Sequence, residues 1–258
     1  MSTVLQPQPS GCPGLGLFVS DEQPGQVTSL ASQLGVAANI MTVYANQPDY
    51  TSVTWVPDTN LRLLLGVGAV SPAQAAAIGE FLVASGHANT IIRIMWEMNG
   101  NWFPWGTQNF SAAQYISTFR AAVTAFEAVP GNQFQYVWNL NAGSVEPGRT
   151  EFDTYPGNAY VSDIGIDWYD QNGQLGAPAS TIPPILQFAA SVGKSISFDE
   201  WGVNGVADAA SYIDYVASIV HDAGDRVEFQ AYFSAGTSDI LRYPSDVAEY
   251  RKDFGGSC

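Results

Sequence analysis

Short apolar runs recur along the whole chain and are separated by longer amphipathic segments. Most of the runs are nearly continuous stretches of Ile, Val, Leu and Phe, which is typical of parallel strands buried on both faces. They predict eight strands, at Gly14–Ser20, Asn39–Ala45, Leu61–Val67, Thr90–Glu97, Phe134–Asn141, Ser162–Tyr169, Ser195–Trp201 and Val227–Phe233.

The segments between these runs have apolar residues at helical spacing. Ser71 and Ser111 stand where helix N-caps are favoured, and glycines follow three of the helical patterns, at Gly86, Gly131 and Gly193. The connection after the second strand predicts no more than a short helical turn. The clearest helices are predicted at Ser71–Ser85, Ser111–Val129, Ile182–Val192, Ala209–Ala223 and Asp246–Phe254.

Strands that alternate with helices predict an α/β fold, and eight of them predict a (β/α)8 TIM barrel. An open, doubly wound sheet is the alternative. That fold usually has a Gly-rich phosphate loop after its first strand, and Gly14-Leu15-Gly16 is too short a match. No linker or low-complexity tract divides the chain. We therefore expect a single catalytic barrel domain over residues 1–258, with a short irregular lead at residues 1–13.

The charge balance narrows the possible partners. The chain has 9 Lys and Arg residues against 24 Asp and Glu residues, a formal net charge of −15. Such a surface repels phosphate backbones and anionic membranes, so we expect neither nucleic acid nor membrane as a partner. The start of the chain lacks the basic and apolar regions of a signal peptide. The low charged fraction and the many Trp and Tyr residues are nevertheless typical of secreted proteins that handle sugars. We expect a secreted or extracellular monomer.

The two cysteines, Cys12 and Cys258, lie near the two ends of the chain. They are either unrelated thiols or one intramolecular disulfide. Chain termini often lie close together in a domain, which favours the disulfide. Such a bond forms in an oxidising compartment.

Polar and aromatic residues concentrate where the predicted strands end, which is where a barrel of this type has its active site. The fourth strand ends in Glu97, followed by the turn pair Asn99-Gly100 and the indoles of Trp102 and Trp105. The seventh strand ends in Asp199, Glu200 and Trp201. Other strands end in polar or aromatic groups that include Trp138, Asn139, Asn141, Asp167, Tyr169 and Tyr232. Two carboxylates in such settings are the pair that glycoside hydrolysis needs.

Alternation along a strand predicts which side chains share a face. Arg93, Met95 and Glu97 fall on one face of the fourth strand, where the arginine can orient carboxylates or form a structural ion pair. On the seventh strand, Asp199 and Glu200 fall on opposite faces. Periodicity does not decide between those two unless the strand is bulged.

Metal and serine-hydrolase chemistry have little support in the sequence. His87 and His221 lie near helix ends without a third ligand, and we interpret both as structural. No Gly-x-Ser-x-Gly elbow is present. We expect no metal and no cofactor. The alternative is a calcium site formed by three aspartates around the sixth strand, Asp163, Asp167 and Asp170.

Three motifs, in order along the chain, resemble family 26 of the glycoside hydrolases, the β-mannanase type. The first is Arg93-x-x-Trp96-Glu97-Met98-Asn99-Gly100-x-Trp102. The second is Tyr155-Pro156-Gly157-x-x-Tyr160-Val161-x-x-x-Gly165-Ile166-Asp167-x-Tyr169. The third is Glu200-x-Gly202. Together they cover roughly Ile91 to Gly202, on the predicted fourth, sixth and seventh strands.

The resemblance implies that Glu97 is the general acid/base and Glu200 the nucleophile of a retaining, endo-acting glycosidase. It implies that Tyr169 hydrogen-bonds the nucleophile and that Arg93 lies beneath both glutamates. The mechanism is then double displacement, which requires one carboxyl that stays protonated near neutral pH. We expect substrate to be bound by Arg93, Trp96, Asn99, Trp102, Trp105, Trp138, Asn139, Asp167, Tyr169, Trp201 and Tyr232.

One residue departs from the family pattern. The family usually has histidine immediately before the acid/base glutamate, and this chain has Trp96. The expected substrate is therefore a β-linked polysaccharide, either mannan-like or another plant or microbial glycan. The alternatives are a catalytically silent carbohydrate-binding barrel and a transglycosylase that uses the same carboxylates.

Overall fold

The structure, a computed structural model, describes residues 13–143, 151–170, 176–205 and 209–256. Eight parallel strands in these ranges close into a barrel in sequence order, with β1 paired to β8. They are β1 (Gly14–Val19), β2 (Ile40–Tyr44), β3 (Arg62–Val67), β4 (Ile91–Ile94), β5 (Gln135–Asn141), β6 (Asp163–Tyr169), β7 (Ser195–Gly202) and β8 (Val227–Ser234). The predicted barrel is confirmed, and only β4 is much shorter than predicted.

Helices follow most of the strands. Ser71 and Ser111 cap two of them, each in a capping box with a glutamine three residues on, as the sequence predicts. The helices are α1 (Pro24–Leu34), α2 (Pro72–Ala84), α3 (Ala112–Glu127), α4 (Gly176–Val192), α5 (Ala210–Ala223) and α6 (Pro244–Phe254). Short 3-10 helices lie at Glu151–Thr154, Gly224–Arg226, Gly236–Ser238 and Ile240–Arg242.

The first helix is not among those that the sequence pattern singles out. Its buried residues Val27, Leu30, Ala31 and Leu34 do have helical spacing. The positions between them are Gly, Ser, Thr and Gln, several of which are weak helix formers. Packing of this one apolar face, rather than propensity, therefore stabilises α1. Between β2 and β3, residues 45–61 form no helix.

The inside of the barrel has an apolar part and a charged part. The apolar part is a cluster of inward-facing side chains from Ile40, Leu64, Ile91, Val137, Phe229 and Ala231. The charged part lies on β4 to β7, where Arg93, Asp167 and Asp199 are completely buried. Charged groups with no access to water require partners, so we expect the functional site in this charged part of the interior.

Two glycines make room for large groups inside the barrel. A Cβ atom on Gly66 would lie 2.6 Å from the ring of Tyr44, and one on Gly165 would lie 2.1 Å from Oδ2 of Asp199. Neither contact is possible, so any side chain at these positions would displace Tyr44 or Asp199. Both displaced groups belong to the site described below.

Several predictions about the chain ends fall outside the described residues. Cys12, Cys258 and the predicted disulfide between them lie there, as does most of the lead at residues 1–13. Within the described ranges, no helix has both the length and the apolar character needed to cross a membrane.

Candidate active site

The chain turns sharply after β4 instead of continuing as a strand. Met95 and Glu97 have φ angles of 49° and 53°, a left-handed conformation that residues other than glycine rarely adopt. The Glu97 amide donates to Oδ1 of Asn139 at 3.1 Å, which holds the turn against β5. The predicted alternation of Arg93, Met95 and Glu97 along one strand face is therefore wrong. The strand ends at Ile94, and the strained turn directs the Glu97 carboxyl.

The Glu97 carboxyl is almost completely buried, with 7% of the residue exposed. Nδ2 of Asn141 donates to its Oε1 at 2.5 Å, and Nε1 of Trp102 donates to its Oε2 at 2.7 Å. Burial, and then the negative charge of Glu200, raise the pKa of Glu97 to about 7. A carboxyl with this pKa can both give and take a proton near neutral pH, as a general acid/base must.

A bulge in β7 decides the orientation of the neighbouring carboxylates. The register between β6 and β7 shifts so that Asp167 pairs with Glu200, and Asp199 is the extra residue. An extra residue interrupts the alternation of a strand. Asp199 and Glu200 consequently both face Arg93 inside the barrel. Strand periodicity alone could not decide whether Asp199 or Glu200 faces inward. With the bulge, both residues do.

Three donors fix the Glu200 carboxylate. Nη1 of Arg93 donates to Oε1 at 2.6 Å, and the hydroxyl of Tyr44 donates to the same oxygen. The hydroxyl of Tyr169 donates to Oε2 at 2.8 Å. Hydrogen bonds to both oxygens leave the carboxylate one orientation, which is the geometry of a preorganised nucleophile.

Among the residues that the structure describes, Arg93 is the cation that pairs with the buried carboxylates inside the barrel. Its Nη2 lies 2.5 Å from Oδ2 of Asp167, its Nη1 2.6 Å from Oε1 of Glu200, and its Nε 3.2 Å from Oδ2 of Asp199. Asn139 also contacts two of these acids, donating Nδ2 to Asp167 at 2.7 Å and to Asp199 at 3.0 Å. One guanidinium thus organises three buried carboxyls.

Four aromatic residues among the predicted substrate-binding residues have almost no exposed surface. They are Trp105, Trp138, Trp201 and Tyr232, with exposed fractions of 1%, 0%, 0% and 0%. Trp201, for example, stacks on Tyr250 of α6 with the ring centroids 5.7 Å apart. This burial does not support their predicted role in substrate binding. An aromatic residue on a strand can equally well point outward, into the layer of helices, as Trp138 and Trp201 do.

Trp96 and Asn99 are also buried, and they support the turn rather than open into solvent. Trp96 is 3% exposed, and Cζ of Arg93 lies 5.7 Å from the centroid of its ring. Nδ2 of Asn99 donates to the Asn141 carbonyl at 2.7 Å, and the Asn141 amide donates back to Oδ1 of Asn99 at 2.9 Å. This exchange places the Asn141 side chain against Glu97.

Two large indoles remain open to solvent. Trp102 is 48% exposed although its Nε1 is bound to Glu97. Trp55 is 50% exposed and lies in the connection after β2. Each follows the C-terminal end of a strand, so both belong to the face of the barrel that carries Glu97 and Glu200.

Sequence reasoning missed two residues that contact the glutamates directly. Tyr44 is the last residue of β2 and binds Glu200, and Asn141 is the last residue of β5 and binds Glu97. Asn141 was expected at a strand end, without a predicted contact to Glu97. The usable signal was a polar group at or next to the last position of a predicted strand, which on the second strand is Tyr44 beside Ala45.

The calcium alternative is wrong for the described residues. Among them, the only three carboxylates close enough to share a cation are Asp214, Glu249 and Asp253. Nζ of Lys252 already lies 2.5 Å from Glu249 and 3.2 Å from Asp214 on this exposed surface. The group that was predicted to bind calcium, and that does not form such a cluster, is Asp163, Asp167 and Asp170.

The closed (β/α)8 barrel holds two buried glutamates, one beyond its fourth strand and one on its seventh strand. A pair of carboxyl groups at this end of a barrel is what glycoside hydrolysis requires. The sequence model of glycosyl hydrolase family 26 matches residues 82–183. The central part of the chain is therefore similar to this family.

Two curated proteins are similar to part of the chain. The chain is 34% identical over 178 residues to "Endoglucanase H" of Acetivibrio thermocellus, which covers 64% of this chain and 20% of that protein. It is 28% identical over 124 residues to "Mannan endo-1,4-beta-mannosidase" of Bifidobacterium adolescentis, which covers 45% of this chain and 12% of that protein. The chain therefore spans a small part of the length of either relative.

Solved structures share the fold at low sequence identity. A GH26 β-mannanase from Bacteroides ovatus superimposes with a TM-score of 0.67 and 14% identity, covering 95% of this chain and 88% of that one. An endo-β-1,4-mannanase double mutant from Cellulomonas fimi has the same TM-score with 18% identity, covering 95% of this chain and 71% of that one.

Proposed function

We propose that the chain is a retaining, endo-acting glycoside hydrolase that cleaves a β-linked polysaccharide by double displacement. The observation that carries the proposal is the contrast between the two glutamates. Glu97 is bound by neutral donors and has a pKa of about 7, whereas Glu200 is bound by a guanidinium and two hydroxyls. Glycoside hydrolysis needs one carboxyl that supplies a proton and one carboxylate that attacks.

In the first step, protonated Glu97 gives its proton to the glycosidic oxygen while Glu200 attacks the anomeric carbon. The bond to the leaving sugar breaks and a covalent glycosyl-enzyme forms. Esterification removes the negative charge of Glu200, which is the second largest cause of the raised pKa of Glu97. The pKa of Glu97 therefore falls, and its carboxylate takes a proton from the water that releases the sugar.

The substrate proposal follows from the named relatives and from the open indoles. The relatives are an endoglucanase and a mannan endo-1,4-β-mannosidase, so we place the substrate among β-linked glucans and mannans. Trp102, beside Glu97, and Trp55 offer exposed ring faces on which sugar rings can stack. A polymer of this kind does not cross membranes, so we propose that the enzyme acts outside the cell. We further propose that it acts as a monomer.

A panel of β-glucans, mannans and xylan tests this function. We expect reducing ends to appear with at least one of them, with an early fall in viscosity because cleavage is internal. Proton NMR of the first product is expected to show the β-anomer, since retention preserves the configuration.

Other outcomes point to other functions. An initial α-product would contradict double displacement. Glycan binding without turnover would identify a silent carbohydrate-binding barrel. Transfer of sugar to an added acceptor, in place of hydrolysis, would identify a transglycosylase.

The pH dependence of the reaction tests the role of Glu97. Because its pKa is raised to about 7, the active protonated form is lost as the pH rises through that value. We expect kcat/KM to fall above pH 7, and we expect this basic limb to vanish in Glu97→Ala. In Glu97→Ala, kcat/KM should fall much less for aryl glycosides with good leaving groups than for polysaccharides. A good leaving group departs without a proton from the enzyme. Glu80→Ala, an exposed carboxylate on α2, is the matched control. A basic limb that survives in Glu97→Ala would assign it to another group.

A further inference from the structure

Three buried side chains connect strand β6 to the arginine beneath the nucleophile. Oγ of Ser197 lies 2.6 Å from Oδ2 of Asp163 and also 2.6 Å from Oδ1 of Asp199. The three residues are 0% to 2% exposed. The other oxygen of Asp199 lies 3.2 Å from Nε of Arg93, which in turn holds Glu200.

The two short contacts of Ser197 impose a condition on protonation. A hydroxyl has one hydrogen and can donate to only one acceptor at this distance. Both contacts have the length of strong O–H···O hydrogen bonds. The second contact therefore needs a hydrogen atom that Ser197 does not supply. One of the two aspartates must be a protonated carboxylic acid that donates to Oγ of Ser197.

The surroundings of Asp199 favour its ionised form. It faces the positive charge of Arg93, and Nδ2 of Asn139 donates to its Oδ2 at 3.0 Å. With the donation from Ser197, Asp199 has both a cation and two hydrogen-bond donors. All three interactions stabilise a carboxylate.

The surroundings of Asp163 favour its protonated form. Besides Asp199, the charged groups that act on it are Glu228 of β8 and Arg62 of β3. Arg62 directs Nε to the Asn89 carbonyl at 2.7 Å, and its Nη2 donates to another side chain, so it is engaged elsewhere. Burial, followed by the charge of Asp199, raises the pKa of Asp163 to about 8. For Asp199, burial raises the pKa only to about 6, since Arg93 opposes the increase.

We propose that Asp163 is a buried carboxylic acid that holds its proton at neutral pH, and that the chain Asp163–Ser197–Asp199 is a positioning device that fixes Arg93 beneath Glu200. The Asp163 carboxyl donates to Ser197, Ser197 donates to Asp199, and Asp199 then directs its other oxygen at Nε of Arg93. The catalytic consequence rests on the proposed function, whereas the protonation of Asp163 does not.

Infrared difference spectroscopy tests the protonation directly. The C=O stretch of a buried carboxylic acid is separate from the carboxylate bands. We expect such a band at pH 7 in Glu97→Gln, which removes one other carboxyl whose pKa lies near that pH, and we expect the intensity that belongs to Asp163 to be lost in Glu97→Gln/Asp163→Asn. Burial also raises the pKa of Asp167, so any band from Asp167 is common to both variants and cancels in the difference spectrum. The matched control adds Thr42→Val to Glu97→Gln, because Thr42 is another completely buried hydroxyl inside the barrel. An unchanged spectrum in Glu97→Gln/Asp163→Asn would overturn the proposal.

Kinetics test the positioning. Ser197→Ala is expected to lower kcat by ~10-fold, the usual effect of one lost hydrogen bond to a charged group, with KM unchanged. Asp163→Ala should lower kcat similarly, and Asp163→Asn should restore it, because an amide N–H can replace the acid O–H as donor to Ser197. Thr42→Val should leave kcat unchanged.

Two kinetic outcomes would overturn the positioning role. One is a Ser197→Ala variant with wild-type kcat, and the other is an Asp163→Asn variant as impaired as Asp163→Ala. If no glycan is hydrolysed at all, the proposed function fails, and the infrared experiment still decides whether Asp163 holds its proton.

Discussion

Glu200→Ala is expected to lower kcat on the preferred polysaccharide by at least ~10⁴-fold, the scale of loss seen when a catalytic nucleophile is removed. The reason is that Arg93, Tyr44 and Tyr169 hold this carboxylate in a single orientation and no other group can take its place. In the wild-type enzyme, a slow 2-fluoro sugar substrate should leave a covalent adduct on Glu200. Intact-protein mass spectrometry followed by peptide mapping measures it.

Azide provides the sharpest control for Glu200. With an activated aryl glycoside, azide should restore turnover of Glu200→Ala and give the α-glycosyl azide, since one displacement inverts the anomeric carbon. Applied to Glu97→Ala, the same reagent should give the β-azide, since two displacements have then occurred. Equal products from both variants would contradict the assignment of the two roles. The control Glu80→Ala should show neither effect of azide, that is, no restored turnover and no glycosyl azide product.

Arg93→Met is expected to destabilise the fold by about 3–5 kcal/mol, because breaking a buried ion pair leaves uncompensated charge in the interior. Arg93 is completely buried and neutralises Asp167, Asp199 and Glu200, which share no other cation within ion-pair distance in the described part of the chain. Chemical denaturation measures the loss, and the melting temperature should fall by on the order of 10 °C.

A double variant separates charge from packing at this site. If the cost comes from unpaired carboxylates, then Arg93→Met/Asp167→Asn should be more stable than Arg93→Met, by about 1–3 kcal/mol. Equal stability of these two variants would show that the loss comes from packing around the methionine instead.

The pH dependence of stability has a definite sign. Burial raises the pKa of Glu97 to about 7, that of Asp163 to about 8 and that of Asp199 to about 6. Each acid binds its proton more tightly in the folded protein, so the stability it contributes is complete at acidic pH and is lost as pH rises through these values. The free energy of unfolding of Arg93→Met should fall more steeply over this range, since its carboxyls have lost the opposing cation.

The strained turn at Glu97 explains why this residue needs so much support. A left-handed φ at Met95 and Glu97 costs free energy that the surrounding contacts must offset. Asn139 binds the turn backbone, and Asn99 positions Asn141 against the carboxyl. The same residues that restrain the turn therefore also set the surroundings, and hence the pKa, of Glu97, the proposed acid/base.

Most of the barrel was predictable from sequence because a buried strand requires an apolar local composition. Parallel strands covered on both faces require continuous apolar runs, and seven of the eight agree closely with the structure. The fourth was too long in the prediction, because Met95 and Trp96 continue the apolar run although the backbone has already turned. The apolar character of a residue indicates that it is buried, but it does not indicate the direction of the backbone.

Side-chain direction was the less predictable property. Trp138 and Trp201 stand at strand ends beside the site and yet point into the helix layer. Asp199 and Glu200 are adjacent and yet both point inward, because of a bulge that depends on the partner strand. Tyr44 reaches Glu200 from 156 positions away in the chain, in space left by Gly66 of a third strand.

The sequence by itself determined the barrel, the two glutamates and their arginine, because apolar runs and strand-end residues are local properties of the chain. Only the tertiary structure decided which oxygen accepts which hydrogen bond, which indoles stay open to solvent and which buried acids must keep their protons. Those outcomes depend on the burial and on the charges that neighbouring strands bring together. The residue pattern of one strand carries no information about which side chains of the neighbouring strands lie opposite it.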